Sequence, residues 1–384
     1  MYNKAYLSLS FGQSPLANHY IRVQPDDVSR KPLMISDKFL DTGKVKGGDW
    51  DLNGEVFGPQ EITFSSVHDV LEGKPWEKTP LFVKGLKGIQ EGQTAFGVAN
   101  EEELRERGRR ILNLAKNIQT NGYREPQNAV FVMGNSDEIA VHIGRDGEIL
   151  FADGGHRLAI AKILGIDSVP AQVSVRHSEW DSLRRKLILA AQNDGGQLYQ
   201  RVPHPDLDVI PFTHDCSARV EILKPHIDEF SGILLDIGAN IGMMCHLMTA
   251  LGFQCVAIEN DPMRLDLIRE LQKIFQVEFQ IFGDSFLNFS MDRFKEIEII
   301  LALNIFHHFL KTKETHDELA VVLENISAKT IFFEPHMQSE LEGLDPFRNY
   351  GEREFSEFVQ ERSGLSNCLL IGRAKDGRAL FKIW

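Results

Sequence analysis

Short apolar runs alternate with amphipathic stretches throughout the second half of the chain. Residues 233–235 are continuously apolar, as expected of a buried parallel strand, and a glycine-containing turn follows over 236–242. A helix over 243–251 and a strand over 254–258 come next, and this strand ends at Glu259. Further predicted elements are an amphipathic helix over 262–275, strands within 277–285, 297–310 and 330–337, and an antiparallel hairpin over 368–384. This order predicts an α/β unit with a mostly parallel sheet.

The front half contains one stretch with an equally clear pattern, residues 142–177. It predicts two strands joined by a turn at 146–147, a polar cluster over 153–157, a helix over 158–164 and then a third strand.

The polar cluster DGGHR lies where the predicted front helix begins. Gly154 and Gly155 allow the backbone to approach a ligand there, and the free N–H groups and dipole of a helix N-terminus favour an anion. His156 and Arg157 add side-chain donors. The cluster is therefore a candidate phosphate site on physical grounds.

The turn over 236–242 and the acid that follows it form a second candidate site. Gly238 and Gly242 stand where backbone must come close to a ligand. Glu259 follows about 20 residues beyond the turn, where a carboxylate accepts hydrogen bonds from ribose hydroxyls. Glycine-rich turns alone are common in α/β proteins, but the turn and the acid together favour an adenosine-containing cofactor.

The motif DIGANIG, the helix and strand after it and the later FGDS resemble the class I S-adenosylmethionine-dependent methyltransferases, in particular their FkbM-type branch. The resemblance implies that Glu259 binds the ribose and that Asp284 lies at the adenine amino group. It places Asn304, His307 and His308 at the carboxyl edge of the sheet, with Asn304 beside the cofactor. The residues implied for the loop under the methionine moiety are Asp236, Gly238, Asn240 and Gly242.

Methyl transfer from a sulfonium depends mainly on positioning, because the donor is already activated. A base is needed only when the acceptor must lose a proton, and His307 and His308 are the candidates because an unperturbed imidazole titrates near neutral pH. The alternative for each histidine is that it packs under the sheet or only shapes the pocket. The sequence has no NPPY-type motif of amino-group methylation and no cysteine pair suited to base-carbon methylation, so an oxygen acceptor is favoured.

The front polar cluster and its flanking elements resemble the ParB/sulfiredoxin-like fold, whose box holds nucleotide phosphates in kinases, CTP-dependent switches and phosphate-activating reductases. The resemblance implies phosphate contacts from Gly154, Gly155, His156 and Arg157. It implies that Asp153 orients a metal or an acceptor hydroxyl, with ATP or CTP and Mg²⁺ as ligands. Sulfiredoxin's catalytic cysteine has no counterpart in the box, so that chemistry is disfavoured. A docking module without turnover is the alternative.

The length of 384 residues is large for one core and suits two domains. The predicted organisation is a ParB/sulfiredoxin-like domain with an N-terminal extension over 1–194, a Gly/Pro-punctuated linker over 195–217 and a methyltransferase domain over 218–384. The predicted fold class is α/β, with a C-terminal Rossmann-like methyltransferase sheet and an N-terminal α+β domain.

Composition limits the partners. The formal net charge is −13 and the isoelectric point is about 5.5, which disfavours tight binding to nucleic acid backbones. The basic stretch 105–110 is predicted to be a solvated helix face whose arginines pair with neighbouring glutamates.

Four cysteines without metal-ligand spacing and a start without a charged and apolar leader indicate a reduced, cytoplasmic protein. No apolar run reaches the roughly 18 residues that a spanning helix needs, so no membrane span is predicted. His307 and His308 have no nearby carboxylate at ligand spacing, so no metal site is expected there.

Three hypotheses follow from these sites. In the first, the methyltransferase is fused to an active kinase, and one bifunctional polypeptide phosphorylates and then methylates a glycan end or a small polyol. In the second, the front domain only binds nucleotide or substrate. In the third, the protein is a non-catalytic, nucleotide-gated binding protein. Because the loop, the ribose acid and Asp284 are all present, the sequence favours an enzyme over a sensor.

Overall fold

The computed structural model describes residues 20–33, 43–123, 138–291, 294 and 296–384. The chain forms two compact units, one comprising Met1–Arg185 with Pro203–Val209 and the other Lys186–Val202 with Ile210–Trp384. These bounds differ from the predicted ones, because the stretch predicted as a linker contributes to both units.

The first unit contains a five-stranded sheet, a separate two-stranded pair and several helices. Its strands are β1 (Tyr20–Val23), β2 (Arg30–Pro32), β3 (Lys44–Lys46), β4 (Gly54–Val56), β5 (Ile139–Ile143), β6 (Ile149–Asp153) and β7 (Val169–His177). Its helices are α1 (Ile62–Leu71), α2 (Pro80–Gln90), α3 (Glu101–Asn121) and α4 (Gly155–Ile163), and α5 (Ser178–Asn193) contains the point of division. The sheet order is β1-β7-β5-β6 with β3 also paired to β7, and β2 pairs separately with β4. The predicted α+β character is confirmed.

Helix α4 begins three residues earlier than the sequence pattern predicts. Gly154 stands just before it in the left-handed conformation, with φ of +81°. A Cβ at this position would lie 2.8 Å from the backbone oxygen of Glu138, so a side chain there would collide with the start of β5. The close approach permitted by this glycine places Gly155, His156 and Arg157 in the first helical turn.

The second unit is built on a seven-stranded sheet. The strands of the whole unit are β8 (Leu198–Gln200), β9 (Phe212–His214), β10 (Ile233–Ile237), β11 (Gln254–Ile258), β12 (Gln280–Phe282), β13 (Ile297–Leu303), β14 (Ala328–Glu334), β15 (Cys368–Arg373) and β16 (Ala379–Ile383). Its further helices are α6 (Cys216–Leu223), α7 (Met243–Ala250), α8 (Pro262–Phe275), α9 (Lys313–Glu324) and α10 (Glu352–Ser363). Strands β8 and β9 form a separate parallel pair.

The order of the large sheet is β12-β11-β10-β13-β14-β16-β15. Strands β10 to β14 are parallel, whereas β16 runs antiparallel to both β14 and β15. Numbered within the sheet, this is the 3-2-1-4-5-7-6 order of the Rossmann-like methyltransferase fold, and the predicted fold class is confirmed. The order reverses between β10 and β13, so a crevice opens at the carboxyl ends of these strands, where such sheets bind ligands.

Apolar side chains from the central strands form the core of the second unit. The buried cluster includes Leu235, Ile258, Ile300 and Phe333, which come from four adjacent strands. Their burial fixes the strand ends that carry the polar residues of the crevice. In the ranges that the structure describes, no helix has both the length and the apolarity needed to cross a bilayer.

Candidate functional site

The loop after β10 is held against the end of β11 by backbone hydrogen bonds. The N–H groups of Gly238 and Ala239 donate to the oxygen of Ile258 over 2.8 and 3.0 Å. Gly238 has φ of +69°, and a Cβ there would lie 2.5 Å from Cδ1 of Ile305. Asn240 also adopts a positive φ of 57°. The loop is thus closely packed in a conformation that glycine and asparagine tolerate best.

Glu259 is a carboxylate fixed by three backbone donors. Its side chain accepts hydrogen bonds from the N–H groups of Asn240, Asn260 and Asp261 over 2.8, 2.9 and 3.0 Å, and the residue is 5% exposed. Oε1 accepts two of these bonds, whereas Oε2 accepts only that of Asn240 and keeps a lone pair for a further donor, such as a ribose hydroxyl. This arrangement orients the acid toward the cavity that it lines.

The first cavity, with a volume of about 330 Å³, lies at the ends of β10, β11 and β12. Glu259 and Asp284 line it from two adjacent strand ends, together with Phe286 and Phe309. One oxygen of Asp284 accepts hydrogen bonds from the N–H of Ser285 and the amide of its neighbour Asn288 over 2.6 and 3.1 Å. The carboxylates and aromatic faces of this cavity suit an adenosine group.

A second cavity of about 310 Å³ adjoins the first and shares Gly238, Arg264, Ile305 and His308 with it. Its other lining residues are mainly polar: Asp194, Gln197, Tyr199, Thr213, Asn240, Leu303, Asn304 and His307. Because the cavities have walls in common, a ligand in the first can present one end to the second.

Asn304 forms part of the wall of the second cavity. It has φ of +55°, its N–H donates to the oxygen of Glu334 over 2.8 Å, and its Nδ2 donates to the hydroxyl of Tyr199 over 3.2 Å. Its Oδ1 is buried and has no hydrogen-bond partner among the described residues. A buried acceptor without a partner is costly, so a ligand donor at this point would be favourable.

His307 and His308 lie on a short helical turn after β13, Phe306–Leu310, with ring centroids 4.1 Å apart. Burial lowers the pKa of His307 to about 3, with the neighbouring His308 and His336 adding to the effect. Burial also lowers the pKa of His308, with Lys311 contributing. The expectation that His307 titrates near neutral pH is therefore wrong, because burial disfavours the charged form of its ring. Both imidazoles are neutral near pH 7.

Asp236 and Gly242, both predicted to lie under the cofactor, line neither cavity. Asp236 is 3% exposed, and its carboxyl faces Cys245, whose Sγ lies 3.5 Å away. Burial raises the pKa of Asp236 to about 7, and the nearby Glu259 adds to the rise. Gly242 caps α7 with φ of +79°, and a Cβ there would lie 3.3 Å from Ile268. Asp236 and Gly242 therefore support the loop on the side that faces away from the two cavities.

The raised pKa of Asp236 leads to a pH-dependent prediction. The unfolded carboxyl ionises near pH 4, whereas the folded one ionises near 7, so ionisation opposes folding increasingly across this window. We expect Asp236→Asn to raise the free energy of unfolding by about 2 kcal/mol more at pH 7.5 than at pH 5. Urea unfolding at both pH values measures the difference.

Asp228→Asn, at an exposed position of the same unit, is the matched control, and we expect no such pH dependence from it. An equal effect of Asp236→Asn at the two pH values would show that the carboxyl titrates normally.

Sequence reasoning missed the residues of the predicted linker that belong to this site. Gln200, which is 4% exposed, accepts a hydrogen bond from the N–H of Met243 over 3.1 Å and donates to the oxygen of Ala239 over 3.2 Å. It therefore ties β8 to both the loop and the start of α7. Tyr199, beside it, lines the second cavity. Because glycine and proline are frequent in this stretch, the sequence pattern predicted a linker and not the short parallel pair of β8 and β9.

Arg264 was also missed. It lies in the first turn of α8 and lines both cavities, and its Nη2 is 3.4 Å from the carboxylate of Asp194. Each of the two side chains is 31% exposed. A cation in this position can face the carboxylate of a ligand. A periodic hydrophobic pattern reveals the helix but not which polar residue points to the cavity.

The first unit has its own cavity, of about 290 Å³, around the polar cluster of the sequence. Gly154, Gly155, His156 and Arg157 line it, and Asp153 at the end of β6 does as well. Further lining residues are Arg107, Arg110, Ile111, Leu114 and Glu138. All five residues predicted from the cluster are therefore brought together around one cavity.

The electrostatics of this cavity are dominated by arginine. Burial lowers the pKa of His156 to about 4, and Arg107 adds to this effect while Asp153 opposes it. Burial also lowers the pKa of Arg107, and Arg110 contributes. His156 is therefore neutral, and the positive charge of the cavity comes from guanidinium groups.

Two acids lie in the same cavity. Glu138 and Asp153 line it, whereas Glu148 is bound away from it by Arg30 and by a 3.1 Å hydrogen bond from Ser29. Glu138 has one buried carboxylate oxygen without a hydrogen-bond partner among the described residues. Asp146 does not line the cavity. Within the described ranges, no group of three or more histidine, cysteine or acidic side chains is placed to hold a metal ion.

The fold and these cavities define an α/β protein with a Rossmann-like methyltransferase unit and a separate α+β unit. It is similar to the solved structure of the bifunctional kinase-methyltransferase WbdD, at 16% identity over 51% of this chain and 45% of that chain, with a TM-score of 0.42. It is also similar to the PH0226 protein of Pyrococcus horikoshii OT3, at 14% identity over 44% of this chain and 91% of that chain, with a TM-score of 0.34.

The matched part thus spans less than half of WbdD. No family model and no curated protein matches the sequence. The assignment of the fold rests on the strand order and direction in the second unit.

Proposed function

We propose that the second unit is an S-adenosylmethionine-dependent methyltransferase. The observation that carries this proposal is the carboxylate of Glu259, held by three backbone donors at the edge of a cavity that Asp284 also lines. In this arrangement Glu259 binds the ribose and Asp284 faces the adenine. The methionine end extends past Gly238 toward Asn240 and Asn304.

The second cavity then receives the methyl acceptor. Its polar wall, with Tyr199 and Thr213, suits a hydroxylated molecule, such as a glycan end or a small polyol. His308 lines both cavities, and as a neutral imidazole it can accept a proton from the acceptor oxygen. Burial lowers the pKa of His307 to about 3, so His307 is a poor base near pH 7, and in this proposal it forms part of the wall of the second cavity.

We further propose that the first unit is a ParB/sulfiredoxin-like domain that binds nucleotide phosphates at its glycine-rich cluster. The support is the convergence of the first turn of α4, His156, Arg157 and Asp153 on one cavity. ATP or CTP with Mg²⁺ would bind here, and Asp153 would orient the metal or an acceptor hydroxyl. A kinase in this unit would make the protein bifunctional.

Two alternatives differ in what the first unit does. In one, the first unit binds nucleotide or substrate without turnover. In the other, the protein is not catalytic, and the cavities of the two units act as sensors in a nucleotide-gated binding protein. All four cysteines are free thiols, which supports a reducing, cytoplasmic setting for any of these functions.

Thermal melting of the full chain tests the proposal. We expect S-adenosylhomocysteine at about 100 times its dissociation constant to stabilise the protein by about 2.7 kcal/mol, and ATP or CTP with Mg²⁺ to do so independently. Homocysteine, which lacks the adenosine group, is the control ligand.

A shift with S-adenosylhomocysteine alone would reduce the first unit to a docking module. No shift with S-adenosylhomocysteine would refute the methyltransferase assignment.

A further inference from the structure

Arg264 and Asp194 are the charged side chains of the second cavity. The other residues that line it are uncharged, including His307 and His308, whose lowered pKa values leave them neutral near pH 7. Asp194 lines this cavity and not the first, and Nη2 of Arg264 lies 3.4 Å from its carboxylate. The charged end of Arg264 therefore faces the cavity proposed for the methyl acceptor.

The ion pair between Arg264 and Asp194 is loose. Both of its hydrogen bonds start from Nη2, and they run over 3.5 Å to Oδ1 and 3.4 Å to Oδ2. Hydrogen bonds between a guanidinium and a carboxylate are usually about 2.7–2.9 Å long. Each side chain is 31% exposed, so water competes for both groups. A pair of this kind contributes little to stability and can exchange its carboxylate for that of a ligand.

Asp194 precedes two glycines with unusual backbone angles. Helix α5 ends at Asn193, and Gly195 and Gly196 have φ of +84° and +103°. A Cβ at either glycine would meet no heavy atom of the described residues within 4 Å, so these glycines serve the backbone conformation and not close packing. The backbone beside Asp194 therefore permits its carboxylate to turn toward water.

Helix α8, which carries Arg264, does not depend on this pair for its position. Lys186 pairs with Asp266 and Glu270 of α8 at the shorter distances of 2.7 and 2.6 Å. The apolar face of α8, with Leu267, is buried. Arg264 can therefore change its partner while the helix stays in place.

We propose that Arg264 binds a carboxylate of the methyl acceptor, so that the acceptor is a hydroxy acid or an acidic sugar and not a neutral polyol. This inference rests on the proposed methyltransferase function of the second unit. Asp194 indicates the ligand chemistry, because the guanidinium already pairs with a carboxylate that lines the cavity. In the complex, the carboxylate of the acceptor takes the place of Asp194, whose side chain turns to solvent.

One guanidinium suits a carboxylate better than a phosphate group. A carboxylate carries one negative charge, which Arg264 balances once Asp194 has turned away. A phosphate monoester carries about 1.5 to 2 negative charges at pH 7. The cavity offers neutral donors for the rest of the ligand, such as the hydroxyl of Thr213 and the amide of Gln197. The additional charge of a phosphate would therefore stay unbalanced.

Arg264 also lies near the proposed base. Burial lowers the pKa of His308, and the charges of Lys311 and Arg264 add to the effect. Arg264 and His308 both line the two cavities, so an acceptor held by the guanidinium presents its hydroxyl to the imidazole. His308 takes the hydroxyl proton, and the hydroxyl oxygen bonds to the methyl carbon while the electron pair of the broken C–S bond stays on the donor sulfur. The carboxylate is recognised and is not methylated.

Binding of matched acidic and neutral sugars tests the inference. The full chain, saturated with S-adenosylhomocysteine, is titrated with D-glucuronate, D-glucuronamide and D-glucose 6-phosphate, and calorimetry measures the affinities. We expect the unmodified protein to bind glucuronate about fivefold more tightly than the other two sugars, and Arg264→Gln to abolish this preference. We expect Asp194→Asn, which removes the competing carboxylate, to raise the affinity for glucuronate about threefold and to change that for glucuronamide less than about twofold.

Two variants of α8 serve as references. Arg269→Gln, at an exposed position of the same helix, is the matched control and should keep the preference for glucuronate. Arg264→Lys keeps the charge but not the planar fork of donors, so we expect it to keep part of the preference.

The remaining outcomes separate this inference from the proposed function. If the unmodified protein binds S-adenosylhomocysteine but does not prefer glucuronate to glucuronamide, or prefers glucose 6-phosphate, the inference fails and the proposed function stands. The inference also fails if Arg264→Gln weakens S-adenosylhomocysteine about tenfold and leaves the affinity for methylthioadenosine unchanged, because methylthioadenosine lacks the α-carboxylate and the arginine then binds the donor. If the unmodified chain does not bind S-adenosylhomocysteine, both fail.

Discussion

Replacing Glu259 by alanine is expected to weaken the binding of S-adenosylhomocysteine by about 2 kcal/mol or more, which is about 30-fold in dissociation constant. The substitution removes the acceptor for the ribose hydroxyls. It also releases the N–H groups of Asn240, Asn260 and Asp261, which the carboxylate holds at the cavity edge. Calorimetric titration of the full chain measures the loss.

Two further variants separate binding from folding. Glu259→Gln keeps the size of the side chain and one oxygen acceptor, so we expect it to lose less affinity than alanine while retaining the loop. Glu318→Ala, at an exposed position of α9, should bind as the unmodified protein does. Unchanged affinity in Glu259→Ala with a normal melting curve would mean that the ribose is not bound here and that the cofactor assignment is wrong.

The sequence predicts the part of this site that depends on local patterns. The strand before Asp236, the glycine turn and the acid at the end of the next strand follow from apolar runs and turn chemistry, and the structure places them as expected. The parallel pairing of β10 and β11 then brings Asn240 and Glu259 together, because their strand ends share one edge of the sheet.

Contacts between distant segments could not be predicted in the same way. Tyr199 and Arg264 reach the second cavity from a short strand and a helix whose relation to the loop depends on tertiary packing. In the first unit, the helix after the glycine-rich cluster begins early because only Gly154 fits beside Glu138. A periodicity argument assigns helix and strand, but it does not show which backbone segments pass close to one another.

The same limit explains the arginines of α3. Local spacing correctly predicts that Arg105 and Arg109 pair with glutamates on their own helix. The direction of Arg107 and Arg110 depends on Trp76 packing against Gly108, a contact between residues 32 positions apart in sequence. Charge patterning therefore identified a basic helix but did not show that one of its faces lines a cavity.

A buried ion pair leads to the second large prediction. Arg219 on α6 forms two hydrogen bonds with the carboxylate of Glu334 at the end of β14, and the side chains are 4% and 0% exposed. Arg219→Met is expected to lower the free energy of unfolding by about 3–5 kcal/mol, because it leaves a buried carboxylate without its counter-ion. Urea unfolding measures the change.

The size of this loss should depend on pH. Burial raises the pKa of Glu334 even with Arg219 beside it, and removing the arginine raises that pKa further. A carboxyl with a raised folded pKa favours folding while it is protonated, and this stability is lost as pH rises through the folded pKa. Arg219→Met should therefore destabilise the protein more at pH 8 than at pH 5.

The double variant Arg219→Met/Glu334→Gln should recover most of the stability, since it removes the unpaired charge. Arg362→Met, which breaks an exposed pair with Glu324, is the control and should change the free energy of unfolding by less than about 1 kcal/mol.

The buried Arg219–Glu334 pair also has a consequence for the second cavity, because the backbone oxygen of Glu334 accepts the N–H of Asn304. If the double variant is stable but binds the acceptor poorly, the ion pair positions Asn304. If the double variant does not recover stability, Arg219 stabilises the fold through packing and not through its charge.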